Sequence, residues 1–340
     1  MNLYTTAPAS TRFQPGSYLG AVRDLARWSE AAGLDGMLIY TDNSLADPWC
    51  VAQTVLEGTR NFRPLIAVQP LYMSPLAAAR KISSLAFLYG RRVALNMVSG
   101  GFSRDLEQLG DTADHDTRYD RLVEYTQLLQ ALLRGGPVTF QGRWYAVTNL
   151  TLSPALPEAL MPEIFVSGAS EACQAAAVSL GATRFSYTSP PADLARRAPL
   201  PGAGRLGLRA GIIAREDSRS AWTAALTRFP EDKRGQMAHR LARLKSQSRW
   251  HRDISELAEA LPEARDGAYW LNPIRNYRTF CPYFVGSHGE VADLICGYDQ
   301  LGYTTLILDV PESRADLEEA VRAVRLARTL PTGRLALPQA

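Results

Sequence analysis

The feature that most limits the possible folds is an alternation of short apolar segments with helical patterns along most of the chain. Short apolar runs bounded by turn residues predict buried strands, and apolar residues that recur every three or four positions between them predict helices. Strands that alternate with helices form parallel sheets covered on both faces. The eight strand candidates are Leu3–Thr6, Gly36–Tyr40, Leu65–Gln69, Val93–Val98, Glu163–Ser167, Ala182–Tyr187, Leu206–Ala214 and Thr304–Asp309.

Eight strand candidates favour a TIM (β/α)8 barrel over an open doubly wound sheet, although sequence alone does not show closure. Two segments interrupt the alternation. Val138–Val147 alternates polar and apolar residues, which predicts a hairpin. Residues 215–261 are helical and basic, with no clear strand. We therefore predict an α/β fold with one domain over residues 1–340, a TIM barrel with a hairpin insertion and a helical insertion at about 215–261.

Within the helical insertion, Met237, Leu241 and Leu244 form an apolar stripe among many arginines. Such a stripe is most often one side of an amphipathic helix whose other face is solvated. The alternative is a lid or a docking surface for an acidic partner, because long insertions in compact domains are often functional.

Composition excludes several classes of function. A hydrophobic content of 46% with 21% charged residues is typical of a globular protein, and a net charge of +3 is too small to indicate a nucleic-acid partner. Met1–Phe13 lacks the pattern of a signal peptide, and no apolar run is long enough to cross a membrane. We predict a cytoplasmic protein without a metal site, whose four cysteines are reduced thiols: Cys50, Cys173, Cys281 and Cys296.

The strand candidate Val93–Val98 contains one polar residue, Asn96, and is followed by Ser99-Gly100-Gly101 and a polar loop. A helical pattern begins after this loop, with His115 and Tyr119 near its start. Strand ends and helix starts are where α/β proteins bind phosphorylated ligands. His115 fits a ligand contact, a base or a metal ligand. The simpler interpretation is that Asp116 or Thr117 caps the helix and His115 points to solvent.

Ser167-Gly168-Ala169-Ser170 lies between an apolar strand and an alanine-rich helix. The free N–H groups and the dipole at such a helix start can hold a phosphate, whereas Ser170 is equally well explained as a helix N-cap. By contrast, the glycines in Gly202-Ala-Gly204-Arg-Leu-Gly207 match a dinucleotide motif but are followed by a strand candidate. That motif needs a helix after it, so we interpret these glycines as part of a loop.

Asp42 and Asp47 lie in the loop after the second strand candidate. Barrel enzymes keep their chemistry in such loops, and two carboxylates can hydrolyse a glycoside. Asp47 stands before Pro48, which is more typical of a helix cap.

Taken in order along the chain, these residues resemble the bacterial luciferase-like flavin monooxygenases, nearest the branch that contains alkanesulfonate and nitrilotriacetate monooxygenases. The resemblance covers almost the whole chain. The motifs that carry it are Asp47-Pro48-Trp49, Ser74-Pro75, Asn96-Met97-Val98-Ser99-Gly100, His115-Asp116-Thr117-Arg118-Tyr119, Phe140-Gln141-Gly142-Arg143-Trp144-Tyr145, Ser167-Gly168-Ala169-Ser170-Glu171 and Val285-Gly286-Ser287.

The resemblance implies a homodimeric or larger homo-oligomeric TIM barrel that binds FMN at the carboxyl ends of its strands. A separate flavin reductase would supply reduced FMN, which reacts with O2 to give a C4a-peroxyflavin that oxygenates a small organic substrate, free or carrier-bound. An F420-dependent oxidoreductase and a non-catalytic flavin-binding protein are the alternatives. The implied flavin contacts are Asp42, Asn96, His115, Tyr119, Ser167 and Ser170.

Two departures argue against a sulfonate substrate. Leu45 stands where the sulfonate branch has a cysteine, and Ser186-Tyr187-Thr188-Ser189-Pro190 replaces a Trp-Gly-Glu-Pro segment. An arginine in a loop of that branch corresponds to Arg278, which could clamp an anionic group of the substrate. Arg278 and Asp42 are the candidate catalytic residues.

Overall fold

The fold is a TIM (β/α)8 barrel, a closed parallel sheet of eight strands surrounded by helices. The computed structural model describes residues 1–101, 103–196, 204–245 and 249–330. In chain order the strands are β1 (Asn2–Thr6), β2 (Gly36–Ile39), β3 (Arg63–Val68), β4 (Ala94–Met97), β5 (Pro137–Gln141), β6 (Ala146–Thr151), β7 (Glu163–Ser167), β8 (Thr183–Ser186), β9 (Leu206–Arg215), β10 (Arg265–Asp266), β11 (Tyr269–Trp270), β12 (Tyr283–Ser287) and β13 (Tyr303–Leu308).

The predicted strands are all confirmed: β1 to β4, β7 to β9 and β13 coincide with the eight candidates to within two residues at each end. The helices are α1 (Tyr18–Ala31), α2 (Pro48–Gly58), α3 (Pro75–Tyr89), α4 (Ser103–Gln108), α5 (His115–Leu133), α6 (Glu171–Ser179), α7 (Pro191–Ala195), α8 (Ser218–Arg228), α9 (Lys233–Lys245), α10 (Arg249–Ala260), α11 (Asn272–Arg275), α12 (His288–Gln300) and α13 (Arg314–Thr329), with short 3₁₀ turns at Ser10–Arg12, Glu158–Leu160 and Pro262–Ala264. Gly207 lies in β9, so a strand follows the glycine cluster as predicted, while Gly202 lies outside the described residues.

The chain divides into two compact units, a first unit of Thr6–Arg184 and a second unit of Met1–Thr5 with Phe185–Ala340. In the first unit β2, β3, β4 and β7 are successive parallel neighbours. Parallel neighbours end at the same edge of the sheet, so the loops after these strands meet there.

Side-chain caps fix where the helices of the first unit begin. The Asp47 carboxylate accepts hydrogen bonds from the backbone N–H groups of Trp49 and Cys50, and Ser74 caps α3 in the same way. The expected cap of α5 was wrong. Asp114 caps this helix, with its Oδ1 2.8 Å from the backbone nitrogen of Thr117, so α5 begins at His115.

The hairpin insertion is confirmed by the antiparallel pairing of β5 with β6. Glu124 on α5 fastens its turn, because the Glu124 carboxylate accepts the backbone N–H groups of Arg143, Trp144 and Tyr145, each at 2.8 Å. A Cβ at Gly142 would come 2.1 Å from the same carboxylate, so a larger residue there would displace Glu124 from these bonds.

Glu30 at the end of α1 fastens the loop before β3. Its carboxylate accepts the backbone N–H groups of Arg60, Asn61 and Phe62, at 2.6 Å for Asn61. Burial raises the pKa of Glu30, but these three hydrogen bonds and the charge of Arg91 outweigh that effect, so the pKa lies below its ordinary value. The ionised carboxylate therefore stabilises the folded state.

We expect Glu30→Gln to lower the free energy of unfolding at neutral pH by about 1 kcal/mol, since the carboxylate is partly exposed to solvent. Because the pKa is lower in the folded chain, this stabilisation is present above the unfolded pKa of about 4.3 and is lost as the pH falls through the folded value. Urea unfolding of wild type and variant should thus converge towards acidic pH. Asp24→Asn, an exposed carboxylate change on the same helix, should give a much smaller difference; a pH-independent gap for Glu30→Gln would contradict the assignment.

In the second unit, β9 is long enough for one of its edges to pair with two strands. Its first half pairs with β13, as in Leu208 with Leu306, and its second half pairs with β12, as in Gly211 with Tyr283. β9 therefore continues past the end of β13. β13 also pairs with β1. The short strands β10 and β11 and the strand β12 were not predicted.

The segment between β9 and β12 contains α8 to α11 and includes the predicted basic insertion. Contacts just after β13 fasten this segment. The Thr279 and Tyr283 hydroxyls donate to the Asp309 carboxylate at 2.8 and 3.0 Å, and the Arg228 guanidinium donates to the Val310 carbonyl at 2.7 Å. The insertion is thus held at the carboxyl end of β13, the end at which TIM barrels carry their active sites.

Among the described residues no helix has the length and apolar character needed to span a membrane, and no group of three or more His, Cys, Asp or Glu side chains could hold a metal ion. The four cysteines all lie in the described ranges and form no disulfide: Cys50 is exposed, and Cys173, Cys281 and Cys296 are buried.

Candidate active site

Asn96 and Ser167 meet at neighbouring strands of the first unit. Asn96 lies on β4, directly opposite Phe165 of β7, and Ser167 ends β7. The Ser167 hydroxyl donates to the Asn96 carboxamide oxygen at 2.7 Å, and only 3% of Asn96 is exposed. This bond fixes the orientation of the Asn96 carboxamide, whose NH2 group can donate to a ligand.

Tyr119 in the second turn of α5 packs against the loop after β7. It is buried, and its hydroxyl donates to the Ser167 carbonyl at 3.0 Å. The approach depends on Gly168, because a Cβ at this position would lie 2.5 Å from the Tyr119 hydroxyl and 2.9 Å from the Cys173 sulfur. Gly168 also has a φ of +146°, a conformation that favours glycine.

Ser170 is the N-cap of α6, with its hydroxyl 3.2 Å from the backbone nitrogen of Cys173. The capping role is therefore confirmed. It uses one of the amide donors at the helix start, and the positive end of the helix dipole remains there to attract an anion.

Burial governs the ionisation of the two buried groups beside Ser170. It raises the pKa of Tyr119 far above the usual range and is the main cause that raises the pKa of the Cys173 thiol to about 11. Both side chains stay neutral at physiological pH. Tyr119 thus acts as a hydrogen-bonding group, and Cys173 lacks the thiolate that a nucleophile needs.

His115 lies beside Tyr119, with 5.2 Å between the ring centroids. Its Nδ1 is 2.7 Å from the Asp116 carboxylate, and a third of the side chain is exposed. This contact orients the imidazole, so the structure brings His115 to the cluster instead of leaving it in open solvent.

Asp42 shapes its own loop, because its Oδ1 accepts the backbone N–H of Ser44 at 2.7 Å and the Ser44 hydroxyl at 2.6 Å. The next residue, Asn43, links three strand-end loops of the first unit: its side chain bonds the Asp105 carbonyl and accepts the Tyr72 hydroxyl at 2.7 Å. Sequence analysis did not select Asn43. Since Asp47 is engaged as a helix cap, the hypothesis of paired carboxylates for glycoside hydrolysis loses its second carboxylate.

Gln69, immediately after β3, is a second residue that sequence analysis missed as a site residue. It is 5% exposed, and its buried amide nitrogen has no hydrogen-bond partner among the described residues. A Cβ at Gly100 would come 3.4 Å from this nitrogen. Leaving a buried donor unpaired costs about 1–3 kcal/mol. A bound ligand that accepts this hydrogen bond would explain why the unpaired donor is there.

Arg278 belongs to the second unit and contacts Asp232, with 2.8 Å between the guanidinium and the carboxylate. Asp232 also accepts the backbone N–H groups of Arg234 and Gly235 at the start of α9. About half of the Arg278 side chain, 54%, is exposed.

Comparison with known proteins gives a family and a relative for this chain. A family model described as luciferase-like monooxygenase matches residues 2–305. The chain is 36% identical over 299 residues to 4-(gamma-L-glutamylamino)butanoyl-[BtrI acyl-carrier protein] monooxygenase BtrO of Niallia circulans, covering 86% of each protein.

Solved structures share the architecture. The oxygenating constituent of 3,6-diketocamphane monooxygenase of Pseudomonas putida, in complex with FMN, has a TM-score of 0.72 at 14% identity and covers 98% of this chain and 99% of that chain. An F420-dependent secondary alcohol dehydrogenase, in complex with an F420-acetone adduct, has a TM-score of 0.64 at 16% identity and covers 95% of this chain and 99% of that chain. At such identities the likeness extends to the fold.

Proposed function

The chain belongs to the luciferase-like monooxygenase family, and from that premise we propose that it uses reduced FMN and O2 to oxygenate a small organic substrate. The observation that carries the proposal is the cluster at the strand ends of the first unit, where hydrogen bonds join Asn96, Ser167 and Tyr119. The buried, unpaired amide of Gln69 follows the adjacent strand β3, and α6 begins just after Ser167.

The residues of this cluster fit a flavin mononucleotide. The Gln69 and Asn96 amides would donate to the polar edge of the flavin ring, and Ser170, Tyr119 and the start of α6 would hold the phosphate. His115 and the Asp42 loop would complete the contacts. When bound, reduced FMN supplies the activation of O2, and the protein supplies position and a dry environment.

In this proposal, Tyr119 and His115 act as hydrogen-bonding groups for the cofactor. Tyr119 remains a neutral phenol because of its burial, so it can donate its hydroxyl hydrogen to a phosphate oxygen in place of the Ser167 carbonyl without adding a negative charge. Asp116 holds His115 through Nδ1, which leaves Nε2 as the ring atom available to hydrogen-bond a ligand. A separate flavin reductase would supply reduced FMN to a cytoplasmic homodimer.

Two alternatives use the same cluster. An F420-dependent oxidoreductase would transfer a hydride and need no O2, and the likeness to the F420-dependent dehydrogenase supports a common fold for it. A non-catalytic flavin-binding protein would bind FMN and consume nothing. The 36% identity to a monooxygenase supports oxygenation over both.

The substrate class follows from the same relative, whose name specifies an acyl group on a carrier protein. We propose a carrier-bound acyl substrate for this chain as well. The test is O2 consumption with a flavin reductase, NADH, FMN and an acyl carrier thioester, followed by mass spectrometry of the acyl group with isotope-labelled O2. Incorporation of one labelled oxygen atom supports the proposal. Turnover with F420 and no O2 uptake, or flavin binding without turnover, supports the respective alternative.

Arg278→Ala should raise KM for acyl substrates that carry a carboxylate on the order of tenfold, because a charge-assisted hydrogen bond contributes about 1.5–3 kcal/mol. Uncharged acyl analogues should show little change in KM, and Arg278→Lys should be intermediate because it keeps the charge but loses the forked geometry. Steady-state kinetics with matched charged and neutral substrates measures this. Equal kinetics for wild type and Arg278→Ala on the charged substrate would remove Arg278 from the site.

A further inference from the structure

One side of α9 is held firmly within the second unit. Gln236 donates to the Asn276 carboxamide at 2.9 Å, and His239, only 4% exposed, lies 3.0 Å from the Ser255 hydroxyl. A Cβ at Gly235 would come 2.1 Å from the Asn276 carbonyl, so the helix lies directly against this backbone. This side of α9 is therefore fixed in place.

The opposite side of α9 exposes apolar and basic side chains together. Met237 and Leu241 are 56% and 58% exposed and stand one helical turn apart. Lys233, Arg234 and Arg240 are exposed as well, and at about 100° per residue all five positions fall within an arc of about 120°. We call these five residues the α9 face. The side chain of Leu244, the third residue of the predicted stripe, lies outside the described residues.

The charge and apolar character of the α9 face indicate what kind of partner it would bind. The helix contains no Asp or Glu, so its cations have no acidic neighbours one turn away within α9. Two large apolar side chains surrounded by positive charge are typical of an interaction surface. A complementary surface would be acidic and carry apolar residues. A second copy that presented its own α9 face would bring like charges together.

The insertion is attached near the carboxyl end of a barrel strand, which suits a surface that receives a substrate-carrying partner. Arg228, which ends α8 within the insertion, donates to the Val310 carbonyl just after β13, and Thr279 and Tyr283, which follow the insertion, donate to Asp309. Substrates enter TIM-barrel enzymes at this end. A partner on the insertion would therefore lie near the carboxyl end of β13.

We propose that the α9 face is the docking surface for an acidic acyl carrier protein that delivers the substrate. The proposal rests on the carrier-bound substrate argued above. Apolar contact with Met237 and Leu241 would hold the complex, and Lys233, Arg234 and Arg240 would steer the acidic carrier towards it.

The rival occupant is a second copy of the chain in a different register. The neighbouring helix α10 carries Asp253, Glu256 and Glu259, so α9 of one copy could pair with α10 of another. In that arrangement, substitutions on the α9 face would alter the oligomeric state. Any loss of carrier binding would then be a secondary effect of the altered oligomer.

The test measures binding of the phosphopantetheinylated BtrI acyl-carrier protein to full-length protein by isothermal titration calorimetry at low salt. Lys233→Glu with Arg240→Glu, and separately Leu241→Gln, should each weaken binding on the order of tenfold or more, and binding to the wild type should weaken as salt is added. Lys233→Glu is compatible with folding, because glutamate is favourable in the first turn of a helix.

Matched controls lie on α8, where Arg219→Glu changes an exposed first-turn cation and Leu226→Gln changes a leucine that is 56% exposed.

Carrier binding that is lost with the α9 variants and kept with the α8 variants supports the proposal. No binding by the wild type, equal binding by all variants, or a change in oligomeric state of the α9 variants in light scattering would overturn it. Failure of the proposed function is separate: it appears as no incorporation of labelled oxygen into a small acyl pantetheine thioester, which needs no carrier, when the wild type receives reduced FMN and isotope-labelled O2.

Discussion

Ser170→Asp should weaken FMN binding on the order of a hundredfold while leaving the free energy of unfolding within about 0.5 kcal/mol of wild type. Aspartate is as good an N-cap as serine, so its carboxylate can take over the bond to the Cys173 backbone nitrogen. It also places a negative charge where the proposal puts the FMN phosphate. Two like charges about 5 Å apart near a protein surface repel by about 3 kcal/mol, which is the source of the expected loss.

Riboflavin is the matched ligand because it lacks the phosphate. Its affinity should change little in Ser170→Asp, and Ser170→Asn, a neutral cap, should bind FMN nearly as wild type does. Fluorescence titration of each variant with both flavins gives the comparison. Equal losses for riboflavin and FMN, or an unchanged affinity for FMN, would show that the phosphate does not bind at the start of α6.

Gly168→Ala should lower the free energy of unfolding by about 3–5 kcal/mol and abolish flavin binding. The added Cβ would stand 2.5 Å from the Tyr119 hydroxyl and 2.9 Å from the Cys173 sulfur, in a conformation with φ of +146° that disfavours alanine. Relief of the clash requires Tyr119 to move away from Ser167 and Ser170. Urea unfolding measures the first effect and FMN titration the second.

Two further variants separate backbone strain from the clash. Gly136 has a φ of +77°, and a Cβ added there would meet no atom within 4 Å, so Gly136→Ala should show only the strain, about 1 kcal/mol. Adding Tyr119→Phe to Gly168→Ala removes the closest atom and should restore part of the stability. If Gly168→Ala costs no more than Gly136→Ala, the close approach of Tyr119 is not a constraint on this loop.

Several barrel strands were predictable because they are buried on both faces and therefore appear as apolar runs, as in Leu65–Val68 of β3. Helix starts were predictable where one capping residue stands before a proline, as at Asp47 and Ser74. At α5 three capping residues lie within four positions, and local sequence does not choose among them. In the structure Asp114 is the cap, and the loop before it is held by a salt bridge between Arg121 and Asp111, 2.7 Å apart, which the sequence does not reveal.

The candidate site was predictable only in part, because some of its residues have meaning only in three dimensions. Ser170 and Asn96 stand out in sequence as polar residues at the ends of apolar runs. Gln69 has the same placement, but its significance lies in a buried amide without a partner among the described residues, which depends on residues distant in the chain. β10 and β11 are two-residue strands without an apolar run, and their pairing depends on β12.

The central claim is that the cluster around Asn96, Tyr119 and Ser170 binds reduced FMN for reaction with O2. The most direct measurement is an anaerobic titration of the protein with reduced FMN, oxidised FMN and reduced F420, followed by rapid mixing of the bound form with O2 and substrate. We predict that reduced FMN binds most tightly, and that O2 then oxidises it with formation of an oxygenated substrate. Preference for F420 without reaction with O2, or no binding of any flavin, would contradict the account.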